Sequence, residues 1–183
     1  MRLRICLALA LLLCGPLAHA QTASDAAVKY FATLKRKDYD AVAAMYLPAA
    51  LAEFRKTMSF VAEFPEDEQD GIYASFFGAD AGKESIAKLS DVQFFAAFLA
   101  AQANGLEAGT QEGLALGDVK VLGEIAEGPN VAHVVARGKG KVGDSDIETL
   151  QVLSFTKSNG TWRALLSGEL KAIPQQLRSA LGR

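Results

Sequence analysis

Three turn signals divide residues 119–167 into four short runs rich in β-branched and aromatic residues. Runs of this length between tight turns are typical of an antiparallel meander. The residues before them have helical spacing, so the sequence predicts an α+β fold, with N-terminal helices packed on a curved four-stranded antiparallel sheet. The turn signals are Gly128-Pro129-Asn130, Val142-Gly143-Asp144-Ser145 and Ser158-Asn159-Gly160.

The Asn159-Gly160 pair predicts the register of the last hairpin, because the residues on either side of a two-residue loop of this type pair directly with each other. Counting back from the loop places most apolar side chains on one face and most polar ones on the other. That division is expected of a sheet covered by helices on one side. The predicted pairs are Ser158–Thr161, Lys157–Trp162, Thr156–Arg163, Phe155–Ala164, Ser154–Leu165 and Leu153–Leu166.

The register of the first hairpin has two solutions. A two-residue loop pairs Ile125 with Val134, whereas a three-residue loop pairs Ile125 with His133. A slip of one residue exchanges the two faces, so the exposure of His133 stays open. Gly138 and Gly140, within the following run, predict bulges or a sharp bend.

Apolar residues recur at helical spacing in several stretches outside the sheet. We expect Asn104-Gly105 to end the longest helix as a left-handed cap. Residues 64–80 have two interpretations: a short helix whose aromatic residues fill the core, or a mobile flap over a ligand. The predicted helices are 24–37, 40–46, 51–64, 84–102 and 174–181. The expected apolar stripes are Val28, Phe31 and Leu34 in the first and Leu51, Phe54, Met58 and Val61 in the third.

The first twenty residues have the features of an export signal. Two arginines precede an apolar run over residues 5–13, and Ala18-His19-Ala20 is a small-x-small cleavage motif. The sequence therefore predicts a signal peptide cleaved after Ala20 and a periplasmic or secreted mature chain. The alternative is a lipoprotein cleaved at Cys14, which the bulky Leu13 before it disfavours.

Removal of residues 1–20 would change what chemistry the chain can perform. Both cysteines would be lost, which excludes disulfides and thiolate catalysis, and the formal net charge of −2 would become −4. This charge, with no basic run, argues against nucleic acid as a partner. Residues 21–183 suffice for one domain, and they contain no second apolar stretch able to span a membrane.

After cleavage, His133 would be the one histidine that remains in the mature chain, which excludes a multi-histidine metal site. No Gly-x-Ser-x-Gly motif presents a nucleophile, and no motif for a metal or cofactor is complete. We therefore assign no catalytic residue, metal or cofactor. The residues chosen as candidates for binding are His133, Arg137, Tyr46 and Trp162.

Three segments carry a resemblance to a known superfamily. Ala27-Val28-Lys29-Tyr30-Phe31, Asp38-Tyr39-Asp40-Ala41-Val42 and Gly160-Thr161-Trp162-Arg163 are similar to the first two helices and the last strand of NTF2-like (cystatin-like α+β) domains. The resemblance implies a cone-shaped cavity, used for catalysis in members like ketosteroid isomerase and for binding in others. No residue matches that isomerase motif, and the helical region 51–102 departs from the compact pattern.

Two functions follow as hypotheses. The first is a non-enzymatic module of the cell envelope that binds a small apolar ligand or another protein. The other protein could be a second copy of the chain, which would form a homodimer through the sheet. The alternative is a small isomerase, lyase or hydrolase with a pocket around His133. A catalytic site would require His133 to lie in a pocket within hydrogen-bond reach of a carboxylate or hydroxyl.

Overall fold

The structure, a computed structural model, describes residues 21–107, 118–142 and 145–180. Within these residues, six α-helices and one 3₁₀ helix precede a four-stranded sheet, and a seventh α-helix follows it. The predicted signal peptide and most of the loop predicted after the longest helix lie outside the described residues. The helices are α1 (Ala23–Lys35), α2 (Tyr39–Ala43), α3 (Pro48–Met58), the 3₁₀ helix (Ser59–Glu63), α4 (Glu66–Phe77), α5 (Lys83–Ala87), α6 (Asp91–Glu107) and α7 (Gly168–Ala180). The strands are β1 (Val119–Ala126), β2 (Val131–Val142), β3 (Ser145–Ser158) and β4 (Thr161–Ala164).

The α+β class and the four-stranded antiparallel meander predicted from the turn signals are confirmed, with strand order β1-β2-β3-β4. The last hairpin has the predicted register from Ser158–Thr161 to Phe155–Ala164. Asn159 and Gly160 both have positive φ, as a tight turn of this type requires. The strand ends at Ala164, so the predicted Leu153–Leu166 pair lies beyond it.

The first hairpin adopts the register with the three-residue loop. Ile125 pairs with His133, and the Glu127 N–H donates to the Val131 carbonyl across the loop at 2.8 Å. The bulges predicted at the glycines of β2 are wrong, because the pairing of β2 with β3 is continuous there. The irregularity lies in β1 instead, between Val121 and Gly123.

Gly138 has a different reason for being a glycine. A Cβ at this position would approach the Thr149 hydroxyl on β3 to 3.3 Å, which is tighter than ordinary contact. The missing side chain thus allows close cross-strand packing and does not mark a bulge.

Helix α1 begins with a capping box, in which the Thr22 hydroxyl accepts from the Asp25 N–H and Asp25 accepts from the Thr22 N–H. The predicted apolar stripe is wrong at Val28, which is 56% exposed. The buried face consists mainly of alanines with Tyr30 and Thr33, because small side chains let the helix approach the sheet closely.

Helix α3 starts with Pro48 in its first turn, where the missing N–H costs no hydrogen bond. The stripe predicted for residues 51–64 is confirmed, since Leu51, Phe54 and Met58 of α3 and Val61 of the 3₁₀ helix are all buried. Residues 64–80 contain α4, and Phe77 is buried while Ile72, Tyr73 and Phe76 pack against the core. This packing agrees with the core interpretation of that region.

The predicted helix over 84–102 is two helices, α5 and α6, which is a correction. Ser90 separates them, because its hydroxyl accepts from the Gln93 N–H while its own N–H donates to the Gln93 side chain. A reciprocal pair of this kind starts a new helix, and the Ser-x-x-Gln spacing was a sequence signal for it. Helix α6 also continues through Asn104-Gly105, so the predicted cap there is wrong. Likewise α7 begins at Gly168 and not at Pro174.

The core is aromatic and lies between the helices and one face of the sheet. The Phe95 ring, completely buried, contacts Tyr46 at 4.7 Å and Phe54 at 4.9 Å between centroids, in edge-to-face geometry. Phe54 also packs against Phe94 and Phe98 of α6. Such pairs add about 0.5–1.5 kcal/mol each beyond the burial of their area, so this cluster joins α3, α6 and the segment after α2 that carries Tyr46.

Truncation of this cluster tests the packing. We expect Phe95→Ala to lower the free energy of unfolding by about 3–5 kcal/mol, because a large cavity would remain. The control Val28→Ala should change it by less than about 0.5 kcal/mol, because Val28 is exposed. Denaturant unfolding measures both variants, and similar losses in the two would contradict this description of the core.

Candidate functional site

The register of the strands gives the sheet one covered and one open face. On β2, Ala132, Val134 and Ala136 are buried beneath the helices, so the alternate residues point the other way. We call the surface they form with their partners on β1 and β3 the open face. It comprises Lys120, Ile125, His133, Val135, Arg137, Lys139, Glu148, Leu150, Val152 and Ser154.

The middle of the open face is apolar. Ile125, Leu150 and Val152 have exposed fractions of 64%, 66% and 59%, and Val135 pairs with Val152 between them. Of the five large apolar side chains that are most exposed in the described residues, only Val28 lies on a helix. The fifth, Leu122, belongs to the irregular segment of β1.

His133 lies on the open face in contact with two polar side chains. Its Nδ1 is 2.9 Å from the Ser154 hydroxyl, and its Nε2 is 2.7 Å from a Glu127 carboxylate oxygen. A carboxylate only accepts hydrogen bonds, so Nε2 donates to Glu127, while Nδ1 is in hydrogen-bond contact with the Ser154 hydroxyl. The side chain of His133 is 32% exposed.

The order hydroxyl, imidazole and carboxylate is that of a nucleophile, a base and an orienting acid. Such chemistry also needs hydrogen-bond donors directed at a developing oxyanion. The backbone N–H groups of β1, β2 and β3 lie in the plane of the sheet, whereas His133 and Ser154 project from its face. The arrangement satisfies three polar side chains on a sheet surface without supplying these donors.

Arg137 shares the open face with His133 but lies four residues further along β2, roughly 13 Å away at the rise of an extended strand. Its Nε is 3.7 Å from the Glu148 carboxylate, which Lys139 also approaches at 3.1 Å. Lys120 pairs with Arg137 from β1. This end of the open face is therefore rich in positive charge.

Tyr46 does not lie on a surface. Its hydroxyl is 3.2 Å from that of Tyr30, and both residues are buried in the aromatic core. Burial raises the pKa of Tyr30 above its usual value, and burial with the nearness of Tyr30 raises the pKa of Tyr46 further.

Trp162 lies on β4, at the other edge of the sheet. Its indole N–H donates to the Gln21 carbonyl at 2.9 Å, and the Lys157 ammonium lies 5.8 Å from the ring centre. These contacts hold the start of α1 against the sheet. The structure therefore brings His133 and Arg137 to one face and places Tyr46 and Trp162 elsewhere.

The sequence analysis missed the apolar residues of the open face. The predicted register of the last hairpin puts Ser154 on the polar face, and continued alternation puts Val152 and Leu150 there too. Two large apolar residues on the polar side of a strand were therefore a usable signal.

Two surface clefts lie away from His133. The first, about 340 Å³, separates α3 and the 3₁₀ helix from α7, and in it Arg178 binds the Glu63 carboxylate through two nitrogens at 2.6 and 3.1 Å. The second, about 870 Å³, is bordered by α4 and α5, where the Asp70 carboxylate accepts from the Lys83 N–H at 2.8 Å. In each cleft, another residue of this chain already contacts the carboxylate named here.

Among residues 21–107, 118–142 and 145–180, no group of three or more His, Cys, Asp or Glu side chains could hold a metal ion. In the same part of the chain, no helix has the length and apolar character needed to cross a membrane. Comparison with known proteins found no family model and no curated sequence that matches the chain. What the structure defines is an α+β protein with helices on one side of its sheet and the open face on the other.

The buried tyrosine pair makes alkaline stability testable. A group whose pKa is higher in the folded state contributes stability below its unfolded value, about 10 for tyrosine, and loses it as the pH rises. We expect the free energy of unfolding to fall above about pH 10, by at most about 1.4 kcal/mol per pH unit for each tyrosine. Urea unfolding between pH 8 and pH 11 measures this slope.

In the variant Tyr46→Phe the slope should become shallower, because one ionisable group is removed. The variant should also lose about 1 kcal/mol at pH 8, where the hydrogen bond to Tyr30 is missing. An alkaline slope equal to that of the unaltered protein would contradict the attribution of the lost stability to the buried tyrosine pair.

Proposed function

We propose that the protein is a non-enzymatic protein-binding module of the cell envelope, and that the open face of its sheet is the binding surface. The observation that carries the proposal is the exposure of Ile125, Leu150 and Val152 on one uncovered face. Contiguous apolar side chains with a polar rim are typical of interaction sites. Burying each such side chain contributes about 1.5–3 kcal/mol, before the costs of association.

The filled interior favours a protein over a small ligand as the partner. A ligand inside the helices would have to displace Phe54 and Phe95, which are completely buried and in contact with each other. The cone-shaped cavity of NTF2-like domains would in this chain be occupied by its own aromatic rings. We retain the NTF2-like architecture as part of the proposal, supported by the order of helices before the meander.

The alternative function, an enzyme built around His133, has the contacts of His133 with Ser154 and Glu127 in its favour. Against it, the imidazole lies on a sheet surface, and neither cleft described above includes it. A hydroxyl–imidazole–carboxylate chain without oxyanion donors would stabilise little charge in a transition state. We therefore prefer the binding function.

Crosslinking in cells tests the binding surface. With a photo-crosslinking amino acid in place of Val152, we expect a covalent adduct with a protein after irradiation, because this side chain lies in the apolar centre. The same amino acid in place of Glu84, an exposed residue of α5, is the matched control and should give none.

A second substitution shows whether the adduct depends on the apolar surface. Leu150→Asp should remove the adduct at position 152 without changing the unfolding curve, because Leu150 is exposed. If position 152 gives no protein adduct, or none beyond that at position 84, the proposed function fails.

Native mass spectrometry of the protein purified from its own host separates the two binding hypotheses. We expect the mass of the polypeptide alone or of its protein complex, with no small apolar molecule retained. A stoichiometric ligand released on unfolding would contradict the filled core and favour small-ligand binding.

A further inference from the structure

We infer that the outer edge of β1 binds a short extended segment of another protein, which adds to the sheet as a further strand. This edge is a different surface from the apolar centre of the open face, so the inference goes beyond the proposed function. Three features carry it: unpaired backbone groups on β1, apolar side chains beside them, and a glycine that the fold does not require.

Strand β1 forms one edge of the sheet, with β2 on its inner side. In an antiparallel ladder, alternate residues direct their N–H and C=O groups toward the partner strand and away from it. The Glu127 N–H faces β2, where it donates to the Val131 carbonyl. Counting back along β1, the N–H and C=O groups of Ala126 and Glu124 therefore face outward. Among the described residues, no backbone group pairs with them.

The two halves of β1 differ in how they are protected against pairing. Lys120 and the irregular segment lie in the first half, and a lysine and a bulge are both devices that keep an edge strand from pairing. The second half, residues 123–126, has a regular register with β2. Its one charged side chain, that of Glu124, turns toward α1 and accepts from the Ser24 N–H at 2.7 Å. The second half is therefore a regular edge without such protection.

Helix α1 runs beside β1 in the opposite direction. Ser24, near the start of the helix, is bound to Glu124, and Lys35, at its end, binds the Asp118 carboxylate at 2.8 Å. Residues 24, 28 and 35 are spaced by four and by seven, so they lie on one face of the helix. Val28 therefore faces the side on which α1 contacts β1, yet it is 56% exposed. The space between this face of α1 and the edge of β1 is thus open to solvent.

Apolar side chains border this edge on both sides. Val28, Leu122 and Ile125 are three of the five large apolar side chains that are most exposed in the described residues. Val28 lies on the helix side of β1, whereas Ile125 lies on the open face. An added strand directs alternate side chains to the two sides of the sheet. It would therefore cover apolar surface on both sides while its backbone pairs with β1.

Gly123 supplies independent support. Its φ is not positive, so the neighbouring irregularity does not require a glycine. A Cβ at this position would meet nothing within 4 Å, so packing inside the chain does not require one either. A glycine in a strand often marks a close approach of another backbone, and a large side chain on a neighbouring strand can cover it. We expect the added segment to place an apolar side chain over Gly123, against Ile125.

The irregular segment also indicates the kind of partner. A second copy of this chain would have to pair its own β1, which carries the same irregularity and is held in its own sheet. Only residues 123–126 would be regular on each side, and this length of about 13 Å offers far less surface than the roughly 800 Å² that each partner buries in a standard interface. A single extended segment can bend at the irregularity and continue beside Leu122 and Val28. The expected partner is therefore a flexible loop or tail with apolar residues at alternate positions.

Peptide selection tests the chemistry of the partner. We expect the purified protein to enrich, from phage-displayed random peptides of eight residues, the length of β1, those with apolar residues at alternate positions. An N-methyl group is then placed on one residue of a selected peptide at a time. Methylation at every second residue should raise the dissociation constant about tenfold, because in an added strand only alternate N–H groups point at β1. Methylation at the residues between them should not.

Ala126→Pro tests the edge from the side of the protein. It removes one outward N–H and leaves the ladder with β2 intact, since proline is tolerated where the N–H of an edge strand faces solvent. We expect it to raise the dissociation constant of a selected peptide about tenfold, as measured by isothermal titration calorimetry. Ala126→Ser keeps the N–H and is the matched control, with a change of less than about twofold. If thermal unfolding shows that the proline variant does not fold, the N-methyl series on the unaltered protein decides.

Leu150→Asp distinguishes this edge from the centre of the open face, because Leu150 lies on β3, two strands away from β1. If Leu150→Asp abolishes peptide binding and Ala126→Pro does not, the peptides bind the open face, and the inference fails while the proposed function stands. If Ala126→Pro weakens peptide binding and position 152 gives no adduct, the inference stands and the proposed function fails.

Three other results would overturn the inference. The first is that no peptide is enriched above a selection on the support without protein. The second is that methylation has the same effect at every position of the peptide. The third is a dimer in analytical ultracentrifugation that Ala126→Pro dissociates, because a second copy would then occupy the edge.

Discussion

The loop that joins β1 to β2 determines which side chains of β1 lie on each face of the sheet. Its three residues set Ile125 opposite His133, and the hydrogen bond from the Glu127 N–H to the Val131 carbonyl closes the hairpin in that register. With a loop one residue shorter, every side chain of one strand would change faces relative to its partner. The choice therefore decides which side chains of β1 join Ala132, Val134 and Ala136 beneath the helices, while the pairing of β2 with β3 is set separately.

The covered face of the sheet packs against the aromatic cluster of the helices. Ala132, Val134 and Ala136 offer small buried surfaces to the helices, and the rings of Phe54 and Phe95 occupy the space above. A core filled in this way stabilises the fold through packing alone, and it leaves little room for a ligand. The buried contact between Tyr30 and Tyr46 is part of this packing, which explains why Tyr46 belongs to the fold and not to a surface.

The apolar composition of the open face is not the one that the stability of the isolated fold would favour. Leu150 and Val152 are more than half exposed and contribute little burial to the isolated fold, whereas polar residues at these positions would suit a strand in water. The surrounding charges are only partly paired with one another, as at Glu148 between Arg137 and Lys139. An uncovered apolar centre with charged groups at its edges is the feature on which the proposed binding function rests.

The sequence by itself determined the features that depend on near neighbours. Asn159-Gly160 predicted the last hairpin because positive φ is local, and the stripe beginning at Leu51 predicted the buried face of α3 because helical spacing is local. The Ser90 cap was equally local, and it was overlooked. For the candidate site, the sequence identified His133 and Arg137 as residues of interest on one strand but left their face open.

Only the tertiary structure decided what depends on distant contacts. Two loop lengths were compatible with the first hairpin: the observed one places Ile125 beside His133 on the open face, whereas the shorter one would place it beside Val134 beneath the helices. Val28 fits a helical stripe, yet the neighbours of α1 accept its alanine face instead. Turn chemistry and periodicity are properties of a few consecutive residues, whereas burial is a property of the whole packed chain.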